Sequence, residues 1–264
     1  MATLVTFHAH PDDESIATAG TMARAVASGH RVVLVVATRG EHGEPVPGVL
    51  ADGELLWQRR VQETYRAAEI LGVASVHFLG YHDSGMDGTP TNHADGSFWS
   101  ADVDEAAARL AAILDAERAD VLTVYDERGQ YGHPDHIQVH RVGVRAAALA
   151  RLAPEVFEAT VDRDRLQEQL RTAREMSPPD DLPPDLPPGD FDIGVDSHRI
   201  TTRVDVRPYI DAKRAAMSAH ASQIPPDSFF LSMTDDVFAE AFGEEQFMHR
   251  GAPAGSAETW VFPD

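Results

Sequence analysis

The chain has 264 residues, 43% hydrophobic and 25% charged, which is enough to bury a full core in one large domain. It contains no cysteine, which excludes disulfides, thiolate catalysis and cysteine-bound zinc, so any metal must be held by histidine and carboxylate side chains. The formal net charge of −21 is spread along the chain and argues against binding to nucleic-acid phosphates or an anionic membrane surface.

Four near-continuous apolar runs are typical of buried parallel strands. They are residues 4–9, 31–38, 75–80 and 120–126. Residues 54–71, ended by Gly72, predict one helix between these strands, and a capping box formed by Asp102 and Glu105 predicts the start of another. This alternation predicts an α/β fold: a Rossmann-like, mostly parallel sheet flanked by helices, with the active site at the carboxyl ends of the strands.

The chain divides into three parts on this interpretation. Residues 1–150 form the Rossmann-like catalytic core, and residues 151–195 form a variable insertion or flap. The insertion contains the proline-rich stretch 177–190, whose composition predicts an extended and not a helical segment. Residues 196–264 read as a strand followed by a helix and are expected to complete the same domain.

No targeting signal is evident in the sequence. The first residues lack a basic segment followed by an apolar stretch, and no apolar run reaches the roughly 18 residues of a spanning helix. We therefore expect a cytoplasmic location without membrane insertion. The sequence carries no signal for the oligomeric state.

Histidines and acids follow two of the predicted strands. His10, Asp12 and Asp13 come just after the first strand, and His133 and His136, three residues apart, follow the fourth. A metal held by two histidines and one carboxylate, with a position open to water, is a recurrent hydrolytic arrangement. Such a metal lowers the pKa of its bound water to about 7 and polarises a carbonyl.

These motifs, HAHPDDES and GQYGHPDHIQVHR, resemble those of the LmbE/PIG-L-like zinc de-N-acetylase family. The family includes N-acetylglucosaminyl-phosphatidylinositol deacetylases and the deacetylase and amidase of mycothiol metabolism. The similarity spans the first 150 residues and returns weakly at KRAAMSAHASQ. It implies a hydrolase that uses Zn²⁺, or Fe²⁺ in its place, to remove an N-acetyl or other N-acyl group from a small molecule, such as an amino-sugar glycoside.

The resemblance also implies a metal site and a base. His10 and Asp13 match the zinc ligands of the first motif, and His136 matches the ligand of the second. Asp12 matches the general base that takes a proton from the metal-bound water.

Five further positions match residues that act on the substrate. His133 matches the histidine that stabilises the transition state or protonates the leaving amine, and Asp135 would orient its ring. Tyr131 matches a tyrosine that helps to bind the oxyanion. Arg60, in RVQE, and Asp83, in DSGM, match residues that hold sugar hydroxyls.

Several alternatives stay open at this point. His8 and His10 share a strand face, as in two classes of metal-dependent barrel, but the PDDE continuation is foreign to those barrels. His140, four residues after His136, could complete an HxxxH pair or have a supporting or packing role, and His220 could approach the site or serve in packing. The function could also be that of an amidase for a thiol conjugate or specialised metabolite, or of a non-catalytic metal- or ligand-binding protein. A binding protein would not need Asp12 and His133.

Overall fold

The computed structural model describes residues 1–176, 192–253 and 255–262. Within them the chain forms one sheet whose strands are β1 (Thr3–His8), β2 (Arg31–Val36), β3 (Ser75–Phe78), β4 (Val121–Tyr125), β5 (Glu155–Thr160), β6 (Thr202–Asp205) and β7 (Glu244–His249). The strand order is β3-β2-β1-β4-β5-β7-β6. β1 to β5 are parallel, and β7 runs antiparallel to both β5 and β6.

Helices connect most of these strands. They are α1 (Asp13–Ala17), α2 (Ala19–Ala27), α3 (Leu56–Leu71), α4 (Val103–Glu117), α5 (Gly129–Gly132), α6 (Pro134–Leu149), α7 (Arg163–Met176), α8 (Ile210–Ala219) and α9 (Asp235–Phe242). Together with the mostly parallel sheet, they confirm the predicted Rossmann-like α/β fold. No helix of the described residues is long and apolar enough to cross a membrane.

The predicted helix boundaries are close to those observed. Gly72 ends α3 in a left-handed conformation with φ 74°, which a glycine adopts without strain. Asp102 caps α4 by accepting a hydrogen bond from the Glu105 N–H at 2.9 Å. The Glu105 carboxylate pairs instead with Arg109 at 2.7 Å. Of the expected capping box, the structure therefore shows the bond from the Glu105 N–H to the Asp102 side chain.

The order in which strands are added changes direction at β1, in the middle of the sheet. After β1 the chain builds β2 and β3 on one side, and then returns to place β4 on the other side of β1. Open α/β sheets bind ligands at such a point, in the crevice at the carboxyl ends of the strands. Buried apolar residues of β1, β2 and β4, such as Phe7, Leu34 and Leu122, fix these strands in the core.

The last third of the chain extends this sheet. The strand and helix expected there are β6 and α8, and β7 inserts between β5 and β6. The proline-rich stretch 177–190 lies outside the described residues. The division into residues 1–150, 151–195 and 196–264 stays a prediction.

His249 on β7 joins two carboxylates and makes stability depend on pH. Its Nδ1 is 2.9 Å from Glu258 Oε1, its Nε2 is 3.1 Å from Glu155 Oε2, and its ring stacks on Phe157. Burial lowers the pKa of His249, but the two glutamates outweigh burial and raise it above the ordinary value. A raised folded-state pKa contributes stability that is fully present below the unfolded pKa and is lost as pH rises through the folded pKa.

The substitution His249→Gln tests this contribution. We expect the Tm difference between wild type and variant to be largest below about pH 6 and to shrink as the pH rises through the raised folded-state pKa. Thermal unfolding at several pH values, with His198→Gln as an exposed control, measures it. A Tm difference that is the same at every pH would contradict the role of the charged ring.

Candidate metal centre and active site

The candidate site lies where two loops leave neighbouring strands. β1 and β4 pair in parallel, with Leu4 opposite Val121, so their carboxyl ends open at the same edge of the sheet. Residues 9–13 follow β1, whereas residues 126–133 and the first turn of α6 follow β4. The structure thus brings the two motifs that contain histidine and aspartate into contact.

Asp13 lies between histidines of the two motifs. Its Oδ2 is 3.5 Å from His10 Nδ1, and its Oδ1 is 3.4 Å from His136 Nε2. Ligand atoms of a tetrahedral zinc ion are about 3.3 Å apart, because each zinc–nitrogen bond is about 2.0–2.1 Å long. Each of these two contacts, one to each oxygen of the Asp13 carboxylate, therefore has about the spacing of two ligand atoms on one ion. The ligand set His10, Asp13 and His136 stays a prediction, and this geometry supports it.

The charge around His10 also favours a cation. His10 Nε2 is 3.1 Å from Asp135 Oδ2 and 3.5 Å from Asp83 Oδ1. Burial lowers the pKa of His10, but Asp83, Asp13 and Asp135 outweigh burial and raise it well above the ordinary value. A buried excess of carboxylates is stabilised by positive charge. When Nε2–H donates to Asp135, the Nδ1 lone pair is left for a metal.

Two sets of three side chains in the described part of the chain each offer one ligand atom within 4.8 Å of the others, and the predicted set is not one of them. These are His10, His133 and His136, and also His10, Asp83 and Asp135. In the second set both carboxylates already accept hydrogen bonds within the chain. Asp135 accepts from the Ser84 N–H at 2.9 Å and from its hydroxyl at 2.5 Å, while Asp83 accepts from the N–H groups of His42 and Gly85. These two acids therefore act as supports of His10.

Asp135 contacts His133 through its backbone. The Asp135 N–H donates to His133 Nδ1 at 3.1 Å, so the neutral ring carries its hydrogen on Nε2. Burial, together with nearby His10 and His136, lowers the pKa of His133 to about 4. The sequence predicts that Asp135 orients this ring. In the structure its N–H makes that contact, while its carboxylate holds Ser84 and His10.

Asp12 combines a strained backbone with a raised pKa. It is the residue before α1 and has φ 101°, a conformation that costs about 1–3 kcal/mol for a residue other than glycine. Pro11 and Asp12 precede the helix, which begins at Asp13. Burial raises the pKa of Asp12 to about 6, against the opposing effect of Arg60, whose guanidinium lies 3.1 Å from its carboxylate.

Arg60 and Asp83, the predicted sugar-binding residues, lie close to the cluster. Arg60 is 4% exposed and donates to the carbonyl oxygens of Pro11 at 2.5 Å and Gly40 at 3.0 Å. Gly40 has φ +64°, and a Cβ atom at this position would lie 2.1 Å from Arg60 Nη1. Burial raises the pKa of Asp83, but His10 and two N–H donors outweigh burial and hold it below the ordinary value. Contact with a sugar stays a prediction for both residues.

Tyr131 lies in α5, the short helix after β4, which a buried carboxylate holds in place. Asp126 Oδ1 accepts from the Gln130 N–H at 3.0 Å, and its Oδ2 accepts from the Thr160 hydroxyl at 2.6 Å. Tyr131 is 43% exposed, and its hydroxyl is 3.4 Å from His136 Nε2. The hydroxyl is therefore beside the cluster and open to a ligand. Sequence reasoning missed Asp126, although its place directly after β4 indicates this edge of the sheet.

Two further histidines contact Tyr125, which lies beside the cluster. His8 Nδ1 is 2.8 Å from the Tyr125 hydroxyl and its Nε2 is 3.0 Å from Thr18 Oγ1, while burial lowers the pKa of His8 to about 4. His140 Nδ1 donates to the Tyr125 carbonyl at 3.0 Å. The Tyr125 ring itself stacks on His136 at 4.5 Å. Tyr125 is thus a contact of the predicted ligand that sequence reasoning did not identify.

Comparisons with known proteins agree with the motifs. Residues 5–147 match the family described as "PIG-L: GlcNAc-PI de-N-acetylase". The chain is 41% identical to a 1D-myo-inositol 2-acetamido-2-deoxy-alpha-D-glucopyranoside deacetylase of Acidothermus cellulolyticus, over 96% of this chain and 91% of that protein. It is 40% identical to the protein of the same name from Streptomyces avermitilis, over 98% and 96% of the two chains.

The fold is similar to that of a solved deacetylase. N,N'-diacetylchitobiose deacetylase from Pyrococcus horikoshii superimposes with a TM-score of 0.61 and 23% identity, over 94% of this chain and 83% of that one. These comparisons confirm the family resemblance seen in HAHPDDES and GQYGHPDHIQVHR, and with it the expectation of an enzyme.

Proposed function

Because the chain belongs to the PIG-L family of GlcNAc-PI de-N-acetylases, we propose that it removes the acetyl group from the glucosamine nitrogen of a small inositol glycoside. The substrate class comes from the names of the relatives that match this chain over nearly its whole length. The observation that carries the proposal is the cluster at the ends of β1 and β4. There Asp13 lies between His10 and His136, and the His133 ring is 4.7 Å from that of His10.

The residues of the cluster have separate roles in the proposed hydrolysis of the amide. His10, Asp13 and His136 would hold the metal, whose positive charge would activate water and polarise the amide carbonyl. Asp12 accepts a proton from the attacking water, and this proton is then available for the departing amine. The neutral His133 offers Nε2–H, and Tyr131 offers its hydroxyl, as hydrogen-bond donors to the charge that develops on the carbonyl oxygen.

Three expectations from the sequence are part of this proposal. Zn²⁺ is the metal we favour, since two histidines and one carboxylate are typical ligands of a hydrolytic zinc ion, and Fe²⁺ is the alternative. The enzyme is cytoplasmic, and residues 1–150 carry the catalytic core while 151–195 form a variable insertion.

Metal analysis of the purified protein, paired with an amine-release assay, tests the function. The panel contains the N-acetylglucosaminyl inositol glycoside, free N-acetylglucosamine and an amide of a thiol conjugate, each before and after chelation. We expect about one metal ion per chain and chelator-sensitive release that is fastest with the inositol glycoside. Faster release from the thiol conjugate would favour an amidase, and bound metal with no release would favour a binding protein.

Tyr131→Phe tests the donor to the carbonyl oxygen. Loss of one such donor is expected to lower kcat by about 100-fold, with KM and metal content close to those of wild type. Tyr65→Phe, an exposed tyrosine on α3, is the matched control and keeps its activity. An unchanged kcat in Tyr131→Phe would remove the hydroxyl from the mechanism.

A further inference from the structure

The last third of the chain inserts a histidine beneath the first motif. His220 follows α8 and is fully buried, and its Nε2 lies 2.6 Å from Glu14 Oε1, 206 residues away in the sequence. Glu14 is also fully buried. The pair therefore joins α8 to the start of α1, next to the cluster already described.

The second carboxylate oxygen of Glu14 contacts Asp12, the residue with the strained backbone. Glu14 Oε2 accepts a hydrogen bond from the Asp12 N–H at 3.0 Å, while Oε1 also accepts from the Ser15 hydroxyl at 2.8 Å. The Asp12 backbone has φ 101° and ψ −31°. Such a conformation persists in a residue other than glycine only when surrounding contacts hold it there. The Glu14 carboxylate supplies one of these contacts.

Hydrogen bonds hold the segment that contains His220 in place. The Ser222 N–H and hydroxyl donate to Glu63 of α3 at 2.9 and 2.6 Å, and the Ser222 carbonyl accepts from the Val46 N–H at 2.9 Å. The Ile224 N–H donates to the His220 carbonyl at 2.8 Å. These bonds tie the backbone around His220 to α3 and to the segment that contains Val46, while the His220 ring contacts Glu14 of α1.

Electrostatics requires the two side chains to act together. A buried carboxylate that loses its partner bears an uncompensated desolvation cost, and Glu14 lies beside the acids Asp12 and Asp13. Without His220, Glu14 is relieved either by taking up a proton or by moving toward water. Either change weakens its hydrogen bond to the Asp12 N–H.

We propose that His220 and Glu14 are positioning residues that hold the Asp12 backbone in its left-handed conformation, so that the Asp12 carboxylate is placed to receive the proton of the attacking water. The inference rests on the proposed function for its catalytic consequence. Its structural part, the restraint of the Asp12 amide, stands independently of any substrate.

Substitutions at His220 separate positioning from simple destabilisation. His220→Leu fills the space without donating a hydrogen bond, whereas His220→Gln retains an N–H donor. Met217→Ala is the control, because this buried residue of α8 packs against Ile224 and Phe238 and its loss weakens the fold without removing a hydrogen bond to Glu14. Each full-length variant is compared with wild type for Tm, metal content, kcat, KM and amide hydrogen exchange of residues 9–16.

The expected pattern is specific to the proposed role. In His220→Leu, exchange of the Asp12 amide accelerates and kcat falls by about 10- to 100-fold, with metal content and KM close to wild type. His220→Gln restores kcat toward the wild-type value. Met217→Ala lowers Tm but leaves exchange at Asp12 and kcat unchanged. In a double-mutant cycle, Glu14→Gln combined with His220→Leu is no slower than the slower single variant.

Other outcomes overturn the proposal. Unaltered exchange at Asp12 in His220→Leu, or effects of His220→Leu and Glu14→Gln on kcat that multiply, would show that the pair does not act through this amide. If the wild-type protein releases no amine from any substrate, the proposed function fails, and the exchange measurements alone then decide whether the restraint exists.

Discussion

Replacing Asp12 with asparagine is expected to lower kcat by about 100- to 10,000-fold while the protein keeps its metal. The reason is chemical and not steric, because asparagine has nearly the same size and retains an oxygen that can accept from Arg60. What it loses is the ability to take a proton. Burial, opposed by Arg60, sets the pKa of Asp12 at about 6, so the carboxylate is ionised and available as a base at pH 7.

The measurement is steady-state kinetics with the inositol glycoside, together with metal analysis of the same preparation. Asp52→Asn is the matched control, since Asp52 is an exposed acid in the loop before α3. We expect this control to resemble wild type in both readouts. A rate for Asp12→Asn within a few-fold of wild type would assign the base role to another group, and loss of metal would make Asp12 a ligand.

Sequence reasoning succeeded where a short motif carries the information. HAHPDDES and HPDH each lie within a few residues of one strand end, so their grouping follows once both strands are recognised as parallel neighbours. The apolar runs that predict β1 and β4 are also local. A motif together with a strand pattern is therefore enough to place His10, Asp13 and His136 at one edge of the sheet.

The supports of the cluster could not be found in the same way, because they come from distant parts of the chain. Ser84 contacts Asp135 across 51 residues, and His220 contacts Glu14 across 206. Neither pair has a spacing that a periodic pattern would reveal. The strained φ of Asp12 is likewise invisible to propensity, since it is imposed by tertiary contacts on a residue that rarely adopts it.

Residues from several parts of the chain hold the histidines of the cluster in place. His10 is held by Asp135, which Ser84 holds in turn, and His136 is stacked on Tyr125. Metal-bound histidines commonly depend on such partners for their orientation. The polar cluster is thus held in order by contacts from β1, β4 and the loop after β3, which are anchored in the apolar core.

His136→Ala is expected to remove the metal, because it deletes one of the three predicted ligands. The purified variant should contain far less than one ion per chain after dialysis and should release no detectable amine. His140→Ala is the matched control one helical turn away on α6. The His140 side chain donates to the Tyr125 carbonyl and lies outside the cluster, so this variant should keep its metal even if its Tm falls.

Metal content and affinity, measured by competition with a chelator, distinguish the possible roles of His136. Full metal content in His136→Ala would exclude it from the ligand set and point to the alternative set that shares His10 with Asp83 and Asp135. Equal loss in His136→Ala and His140→Ala would instead indicate a general disturbance of α6. Only loss confined to His136→Ala supports coordination by this ring, and with it an ion bound between β1 and β4.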